Sequence, residues 1–289
     1  MRILIPIDFS EVSVNAIKYA YDLFSDAEIK VVHAVAGLLD PKDPMVLRPW
    51  IPKDISIKED LQRMIRDEFK NSKYPEKINV EILFGEVVPA LRDYVKHNPF
   101  DAIIMGTRDK YDLFDRWIGT NSLGVLKSID LPIYLIPKYA KYEGFSKVVI
   151  ASDAQIASPK MIGFIKSWNI YNAFIKFVHI REDEEDTFNF EEQKIFASLF
   201  EQGDPTFGFE VQVVDSEDVS ASLLSIAYSD KADLVITIPG KQSFFQALFF
   251  KSVSKVLVQK SSVPMLFLTE ESVDHDIWSN VLQKRETIK

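Results

Sequence analysis

Two related stretches of sequence decide the fold of this chain. Residues 2–10 read RILIPIDFS and residues 147–153 read KVVIASD, so a basic residue, an apolar run and an aspartate recur at a spacing of 145. A second pair, KVVHA at residues 30–34 and KFVHI at residues 176–180, recurs at a spacing of 146. Because self-similarity at a fixed distance is typical of a duplicated unit, we predict two copies of one unit of roughly 140 residues.

The two copies differ in length. Residues 128–135 return as residues 260–267 at a spacing of only 132, so the second copy is shorter in its middle. The missing residues map onto residues 40–55, which carry four prolines. This stretch is predicted to be a loop peculiar to the first half, in a position to act as a lid.

The boundary between the copies is predicted at residues 138–146. This stretch is polar, contains a glycine and interrupts the apolar pattern, as domain linkers do. The predicted domains are therefore residues 1–140 and residues 146–270, followed by a polar tail at residues 271–289.

Within the first half, short apolar runs alternate with stretches of helical periodicity. The predicted strands are residues 2–7, 29–35, 79–84, 102–105 and 133–136. Ser10 is the predicted N-cap of the first helix. The apolar positions of the four predicted helices are Val14, Ile17, Tyr21 and Phe24; Leu61, Met64, Ile65 and Phe69; Val88, Leu91 and Val95; and Leu123 and Leu126. This order predicts an α/β fold with a doubly wound parallel sheet, whose ligand crevice lies beyond the carboxyl ends of the strands where strand order reverses.

The composition excludes several classes of function. A net charge of −9 at pH 7 repels polyphosphate backbones, so nucleic acid is not an expected partner. The absence of cysteine excludes disulfides, thiolate metal sites and cysteine nucleophiles, and it favours the reducing cytoplasm. No secretory signal is evident, and no segment reaches the roughly 18–20 uninterrupted apolar residues of a membrane span, so no membrane partner is expected.

The loop after the fourth predicted strand carries the strongest functional signal. Met105 and Gly106 are followed by Arg108, and the pair Gly119-Thr120 opens the fourth predicted helix. Glycine lets the backbone approach a ligand closely, and a helix start presents unpaired N–H groups that bind anions. The pattern therefore predicts a phosphate cradle. Ordinary turn and cap chemistry explains the same residues, and on the residues alone this second interpretation stays open.

Three further features point to a known family. The first strand ends in Ile-Pro-Ile-Asp at residues 5–8, the second carries Val-His-Ala-Val at residues 32–35, and Gly-Glu-Val-Val-Pro-Ala at residues 85–90 precedes the third helix. In these features the chain resembles the universal stress protein family, and the resemblance covers the chain twice. It implies two Rossmann-like units, each with a five-stranded parallel sheet flanked by helices, paired through their last strands as a pseudodimer within one chain. A further homodimer is compatible with it.

The resemblance also implies a site for ATP or another adenine nucleotide, with or without Mg²⁺, in the first half. Asp8 would lie near the ribose, Val35 near the adenine, and Thr120, Asn121 and Ser122 at the phosphates. Without the resemblance, Asp8 is equally well explained as a helix cap or turn residue. The predicted nucleotide-binding residues are Pro6, Asp8, Val35, Met105, Gly106, Arg108, Gly119, Thr120, Asn121 and Ser122.

The glycine motif of the family is incomplete in both halves. Nucleotide-binding members carry Gly, two residues, Gly, nine residues, Gly and Ser or Thr, whereas here Asp109 replaces the second glycine. Its carboxylate repels a triphosphate unless a metal ion or Arg108 compensates. In the second half, residues 238–243 keep one glycine, and Lys251-Ser252 stands in place of the helix-opening pair. The second half is therefore predicted to bind nucleotide poorly or not at all.

The sequence offers little for catalysis. His33 and His179 lie within apolar strands and are expected to be core side chains, no metal site is expected, and any ATP turnover is expected to be slow. The favoured function is a stress-response regulator that binds an adenine nucleotide and changes its contacts with other, unidentified proteins. The alternatives are an interaction protein whose nucleotide site has decayed and a slow ATP hydrolase.

Overall fold

A computed structural model describes residues 1–35, 38–40, 43–48, 51–70, 78–107, 120–152, 159–168, 172–181, 199–200, 207–238, 263–269 and 272. The first half runs β1 (Arg2–Pro6), α1 (Glu11–Leu23), β2 (Glu28–Val35), β3 (Leu38–Asp40), β4 (Asp43–Arg48), α2 (Ile51–Glu68), β5 (Ile78–Phe84), α3 (Val87–His97), β6 (Ala102–Thr107), α4 (Thr120–Ser128) and β7 (Ile133–Pro137). The second half runs β8 (Lys147–Ser152), α5 (Pro159–Trp168), β9 (Phe174–Arg181), β10 (Phe209–Asp215), α6 (Val219–Ser229), β11 (Leu234–Ile238) and β12 (Met265–Phe267).

In the described residues, one continuous sheet of ten strands runs through both halves in the order β5-β2-β1-β6-β7-β12-β11-β8-β9-β10. Within each half the neighbouring strands are parallel. The halves meet where β7 and β12 pair antiparallel, with Tyr134 opposite Leu266. This order confirms the predicted fold, in which two doubly wound five-stranded units pair through their last strands.

Two hydrophobic cores lie on opposite faces of the sheet. One packs α1, α2 and α5 against the sheet, and the other packs α3, α4 and α6. Interior strands of the ten-stranded sheet are apolar on both faces because both faces are covered, and all five residues of β7 and of β11 are buried. The continuous apolar runs of the sequence therefore correspond to central strands.

The prediction of a loop at residues 40–55 is wrong in part. β3 and β4 form an antiparallel hairpin, and α2 begins at Ile51. The prolines are compatible with both elements. Pro44 lies in a two-stranded sheet, where an edge position needs no N–H donor, and Pro52 lies in the first turn of a helix, where the N–H has no intrahelical partner.

The connection between the halves is short. β7 ends at Pro137 and β8 begins at Lys147, so residues 138–146 link the two units. Ala140 and Phe145 within this linker are buried in the core. The linker is therefore packed against the protein. The predicted tail at residues 271–289 lies outside the described residues, apart from Ser272.

Candidate functional site

A cavity of about 160 Å³ lies at the carboxyl ends of β1 and β6. It is lined by Pro6, Ile7, Asp8, Ser10, Val12, Ser13, Val87, Met105, Gly106, Asn121 and Ser122. In the first half the strand order is β5-β2-β1-β6-β7. The strands that follow β1 are added first on one side of it and then on the other, so the strand order reverses between β1 and β6. The cavity thus occupies the place where doubly wound folds bind ligands.

The turn between β1 and α1 is held by the Asp8 carboxylate. Its Oδ1 accepts hydrogen bonds from Ser10 N at 3.2 Å, from Ser10 Oγ at 2.5 Å and from Ser13 Oγ at 3.1 Å. Ser10 is the N-cap of α1, as predicted, and its Oγ accepts from Ser13 N at 3.3 Å. Asp8 therefore performs the local turn role and also lines the cavity.

Phe9 lies between two cavity-lining residues in a left-handed conformation, with φ of 61°. Its ring packs edge to face on His33, with centroids 4.9 Å apart, and the Nδ1 of His33 is 2.8 Å from the Ile7 carbonyl oxygen. Because a carbonyl oxygen only accepts, Nδ1 is the donor. His33 thus supports the β1–α1 turn from β2, half-buried beside it.

Gly106 allows α1 to approach β6. A Cβ at this position would lie 2.7 Å from the backbone carbon and oxygen of Val12 and from its Cγ1, which is closer than real Cβ contacts. The sequence predicts that a ligand approaches the backbone at this glycine. The structure adds a second cause, since the first turn of α1 occupies the space that a side chain would need.

Three helices begin at the cavity. The first turn of α1 contributes Ser10, Val12 and Ser13, α3 contributes Val87, and α4 contributes Asn121 and Ser122. The first N–H groups of a helix have no intrahelical partner, and the helix dipole places partial positive charge at the same end. The cavity is therefore suited to an anionic group.

Six of the predicted site residues meet at this cavity: Pro6, Asp8, Met105, Gly106, Asn121 and Ser122. Val35 lies apart from this lining, half-buried at the end of β2 and in register with Phe84 of β5. Thr120 is the first residue of α4, but its side chain lies outside the described part of the structure. Arg108, Asp109 and Gly119 also lie outside the described residues.

Five lining residues were not predicted from the sequence as part of the site: Ile7, Ser10, Val12, Ser13 and Val87, of which Ser10 was expected only as a helix cap. Ser13 had no readable signal, because a reciprocal helix cap has Glu or Gln three residues after the N-cap, whereas a serine at that position is ordinary helix sequence. Val12 had none, because its place against Gly106 depends on how α1 packs across the sheet.

The second half lacks an equivalent of Gly106. The pairing of β11 with β12 matches that of β6 with β7 at an offset of 132 residues, which places Ile238 where the first half has Gly106. Ile238 is buried in the core. Asp153, Lys251 and Ser252, which were compared with the first-half site on sequence, lie outside the described residues.

No described helix is both long enough and apolar enough to cross a membrane. Among the described residues, no group of three or more histidine, aspartate or glutamate side chains is arranged to hold a metal ion. His179, predicted as a core residue, is 1% exposed on β9.

Fold and cavity together define an α/β protein of the doubly wound, Rossmann-like class. The family model "Universal stress protein family" matches residues 1–137. The universal stress protein MJ0531 of Methanocaldococcus jannaschii is 27% identical over 147 residues, which cover 48% of this chain and 84% of that protein.

Two solved structures resemble the whole chain. A universal stress protein from Archaeoglobus fulgidus superposes with a TM-score of 0.65 at 16% identity and covers 93% of this chain and 96% of its own. The protein PA1789 of Pseudomonas aeruginosa, of unknown function, superposes with a TM-score of 0.56 at 10% identity and covers 98% and 97%. The first half of the chain thus matches the universal stress protein family, and the second half repeats the fold of the first.

Proposed function

We propose that this chain is a stress-response regulatory protein that binds an adenine nucleotide, ATP for preference, in its first half. One observation carries the proposal. The cavity at the reversal of strand order brings the Asp8 turn and the start of α4 to the same small space. A carboxylate acceptor suits ribose hydroxyls, and the helix start suits phosphate oxygens.

In this proposal each part of the nucleotide meets a different element. The first N–H groups of α4, at Thr120, Asn121 and Ser122, hold phosphates, Asp8 holds the ribose, and Val35 packs near the base. The cavity, at about 160 Å³, is smaller than the roughly 300–1,000 Å³ of pockets that enclose a whole ligand. It therefore encloses only part of a nucleotide, and the remainder extends along the carboxyl ends of the strands.

A divalent cation is expected to accompany the triphosphate. Mg²⁺ is commonly held by substrate phosphates and water with one or two carboxylates, so it does not require a dedicated protein cage. Such a cation, or Arg108, would offset the carboxylate that Asp109 places in the glycine motif. Nucleotide binding should therefore depend on Mg²⁺ more strongly than in a protein with glycine at this position.

The second half is proposed to make protein contacts and to bind no nucleotide. Ile238 at the place of Gly106 removes the small residue that the first-half cavity requires. The absence of cysteine fits a reducing compartment, and we place the protein in the cytoplasm. Nucleotide occupancy of the first half would then change which proteins the chain contacts.

The test begins with freshly purified full-length protein, which is denatured so that any released nucleotide can be identified by chromatography. The stripped protein is then heated with and without Mg-ATP. A ligand at a hundredfold excess over its dissociation constant stabilises the native state by about 2.7 kcal/mol. We expect this gain in the wild type, and its absence would overturn the proposal.

A matched pair of variants places the site. Asn121→Asp puts a negative charge at the start of α4 and should abolish most of the stabilisation by ATP. Asn79→Asp makes the same chemical change at an exposed position of β5, in register with Lys30 near the opposite end of the sheet, and should leave it intact.

We further propose that the protein is not an enzyme in the ordinary sense. Among the described residues that line the cavity, Asp8 carries the one carboxylate, and its Oδ1 already accepts three hydrogen bonds in the turn. Hydrolysis should therefore be slow or absent. A sustained turnover of many ATP molecules per chain per second would contradict this and favour the hydrolase alternative.

A further inference from the structure

One face of α1 is fastened to the linker between the two halves. Glu11, Asn15 and Tyr19 follow one another at intervals of four residues, so they form a single stripe along the helix. Glu11 pairs with Lys138 at 2.7 Å, and the Tyr19 ring packs edge to face on Tyr142 with centroids 5.8 Å apart. The amide of Asn15 donates to the Pro137 and Ala140 carbonyl oxygens at 2.8 and 3.0 Å.

The stripe holds backbone that belongs to the junction of the halves. Pro137 is the last residue of β7, the strand that pairs with β12 of the second half. Tyr142 packs in turn on Phe145, with centroids 5.1 Å apart, and Phe145 is buried. The ion pair is exposed and contributes little, so the amide bonds and the ring contacts supply the attachment.

The first turn of α1, which carries Glu11 of the stripe, also forms one side of the cavity. Ser10, Val12 and Ser13 line it, and the backbone of Val12 fills the space over Gly106. Glu11 and Asn15 leave the helix on the linker side within the same two turns. Because protein interiors are close-packed, a shift of this turn cannot occur without a shift of both its contacts.

We infer that α1 couples the cavity to the linker: a ligand in the cavity fixes the first turn of α1 and thereby tightens the attachment of residues 138–146. The inference deepens the proposed function and rests on it for the identity of the ligand. The two states are a linker attached to the α1 stripe and a linker released from it. The coupling is reciprocal. If the ligand lowers the affinity of a partner for the released linker by a given factor, that partner lowers the affinity of the ligand by the same factor.

The experiment is hydrogen exchange measured by mass spectrometry on the full chain, with and without Mg-ATP. In the wild type, we expect ATP to slow exchange in peptides covering residues 138–146 by about fivefold, the lower range of measured couplings. A second arm uses no ligand. Tyr142→Ala removes the linker ring from Tyr19 and should speed exchange in the peptide covering residues 10–16.

Two controls separate coupling from general loss of stability. Glu143→Ala changes an exposed residue of the same linker and should leave the exchange of residues 10–16 unchanged. Helix α3, which packs on the other face of the sheet, should exchange equally in all variants. A rise in α3 as large as that in residues 10–16 would mean global destabilisation and would overturn the inference.

The outcomes distinguish the inference from the proposed function. If ATP binds and the linker exchanges as before, the coupling is refuted while nucleotide binding stands. If ATP does not bind, the proposed function fails, and the arm without ligand decides the coupling. Faster exchange of residues 10–16 in Tyr142→Ala alone would support the mechanical link, and unchanged exchange would refute it.

Discussion

At the scale of single residues, Gly106 shows which part of the cavity the sequence explains and which part it does not. The residue was singled out as a place where backbone approaches a ligand. Its Cβ position is in fact taken by Val12, which is 94 residues away in the chain. Such a contact depends on how a helix crosses a sheet, and no local pattern contains it. The sequence identifies the glycine, but it does not show that packing against Val12 also requires one at this position.

We predict that Gly106→Ala destabilises the protein and weakens ATP binding. The new methyl group meets backbone atoms of Val12 at 2.7 Å, and these atoms cannot move without moving α1. Overpacking of this kind costs about 1–3 kcal/mol, to be measured by urea unfolding.

The control for this prediction is Gly144→Ala, at a linker position with φ of 98° and no atom within 4 Å of the added methyl group. It should cost about 1 kcal/mol through backbone strain, and any loss of ATP affinity should be smaller than in Gly106→Ala. A Gly106→Ala protein as stable as the wild type would show that α1 is not held against β6 as described.

The two roles of Asp8 can be separated by substitution. Asp8→Ala removes the acceptor of three hydrogen bonds and should lower the free energy of unfolding by about 1 kcal/mol. Asp8→Asn keeps a carbonyl oxygen for the turn and should be nearly as stable as the wild type, while ATP affinity falls about tenfold, or 1.4 kcal/mol. Unfolding curves and ATP titrations of both variants decide the matter, and an Asp8→Asn protein with unchanged affinity would leave Asp8 as a turn residue alone.

At the scale of elements, the sequence predicted the strands of the first half well. Buried strands in parallel sheets are continuous apolar runs, and such runs stand out between polar turns. The prolines of residues 40–55 predict a loop, and this prediction is wrong in part. Proline is disfavoured in helix interiors and in central strands. Pro44 lies in an edge strand and Pro52 in a first helical turn, where proline is tolerated.

Helix α6 is attached to the sheet by an ionic cluster that should be sensitive to acid. Lys176 lies 2.7 Å from both Asp230 and Glu210, and Lys147 lies 3.4 Å from Asp230. Burial raises the pKa of Asp230, but the hydrogen bond and charge of Lys176, joined by Lys147, outweigh it and hold that pKa below its usual value.

The sign of the pH effect follows from this pKa. A carboxyl group with a lower pKa in the folded state contributes stability above its unfolded pKa of about 3.9, and this contribution is lost as pH falls through the folded value. We predict that the free energy of unfolding falls less steeply in Asp230→Asn than in the wild type as the pH is lowered below about 4. Urea unfolding at several pH values checks this prediction. An equally steep fall of the free energy of unfolding with pH in both proteins would contradict it.

At the scale of the whole molecule, the single sheet makes the two halves depend on each other. The pairing of the last strands was expected from the resemblance to a family, since periodicity alone does not say which strand edges meet. The antiparallel contact of β7 with β12 joins two parallel sheets and leaves β5 and β10 as the outer strands. The linker, which is packed through Ala140 and Phe145, adds a second connection between the halves.

We predict that the wild-type chain unfolds in one transition and that Phe267→Pro separates it into two. Phe267 is buried in β12 opposite Ile133 of β7, and because Leu268 N donates to Thr237 of β11, the N–H of the preceding residue faces β7. Proline removes this ladder donor from the junction. Phe267→Ala is the matched control, because it loses core volume, at about 3–5 kcal/mol, but keeps the backbone donor and should retain one transition. Circular dichroism and hydrogen exchange report the transitions, and two steps in the wild type would mean that the halves fold independently.

The central claim is that one half of this chain, and not the other, binds an adenine nucleotide. The most direct measurement is a calorimetric titration of Mg-ATP into the stripped full-length protein beside Gly119→Arg, a change immediately before the start of α4 at Thr120. We predict one ATP per chain in the wild type and none in the variant. Two ATP per chain, or binding that survives in Gly119→Arg, would place a site where Ile238 and Lys251 stand, and no binding at all would leave protein contacts as the function of this fold.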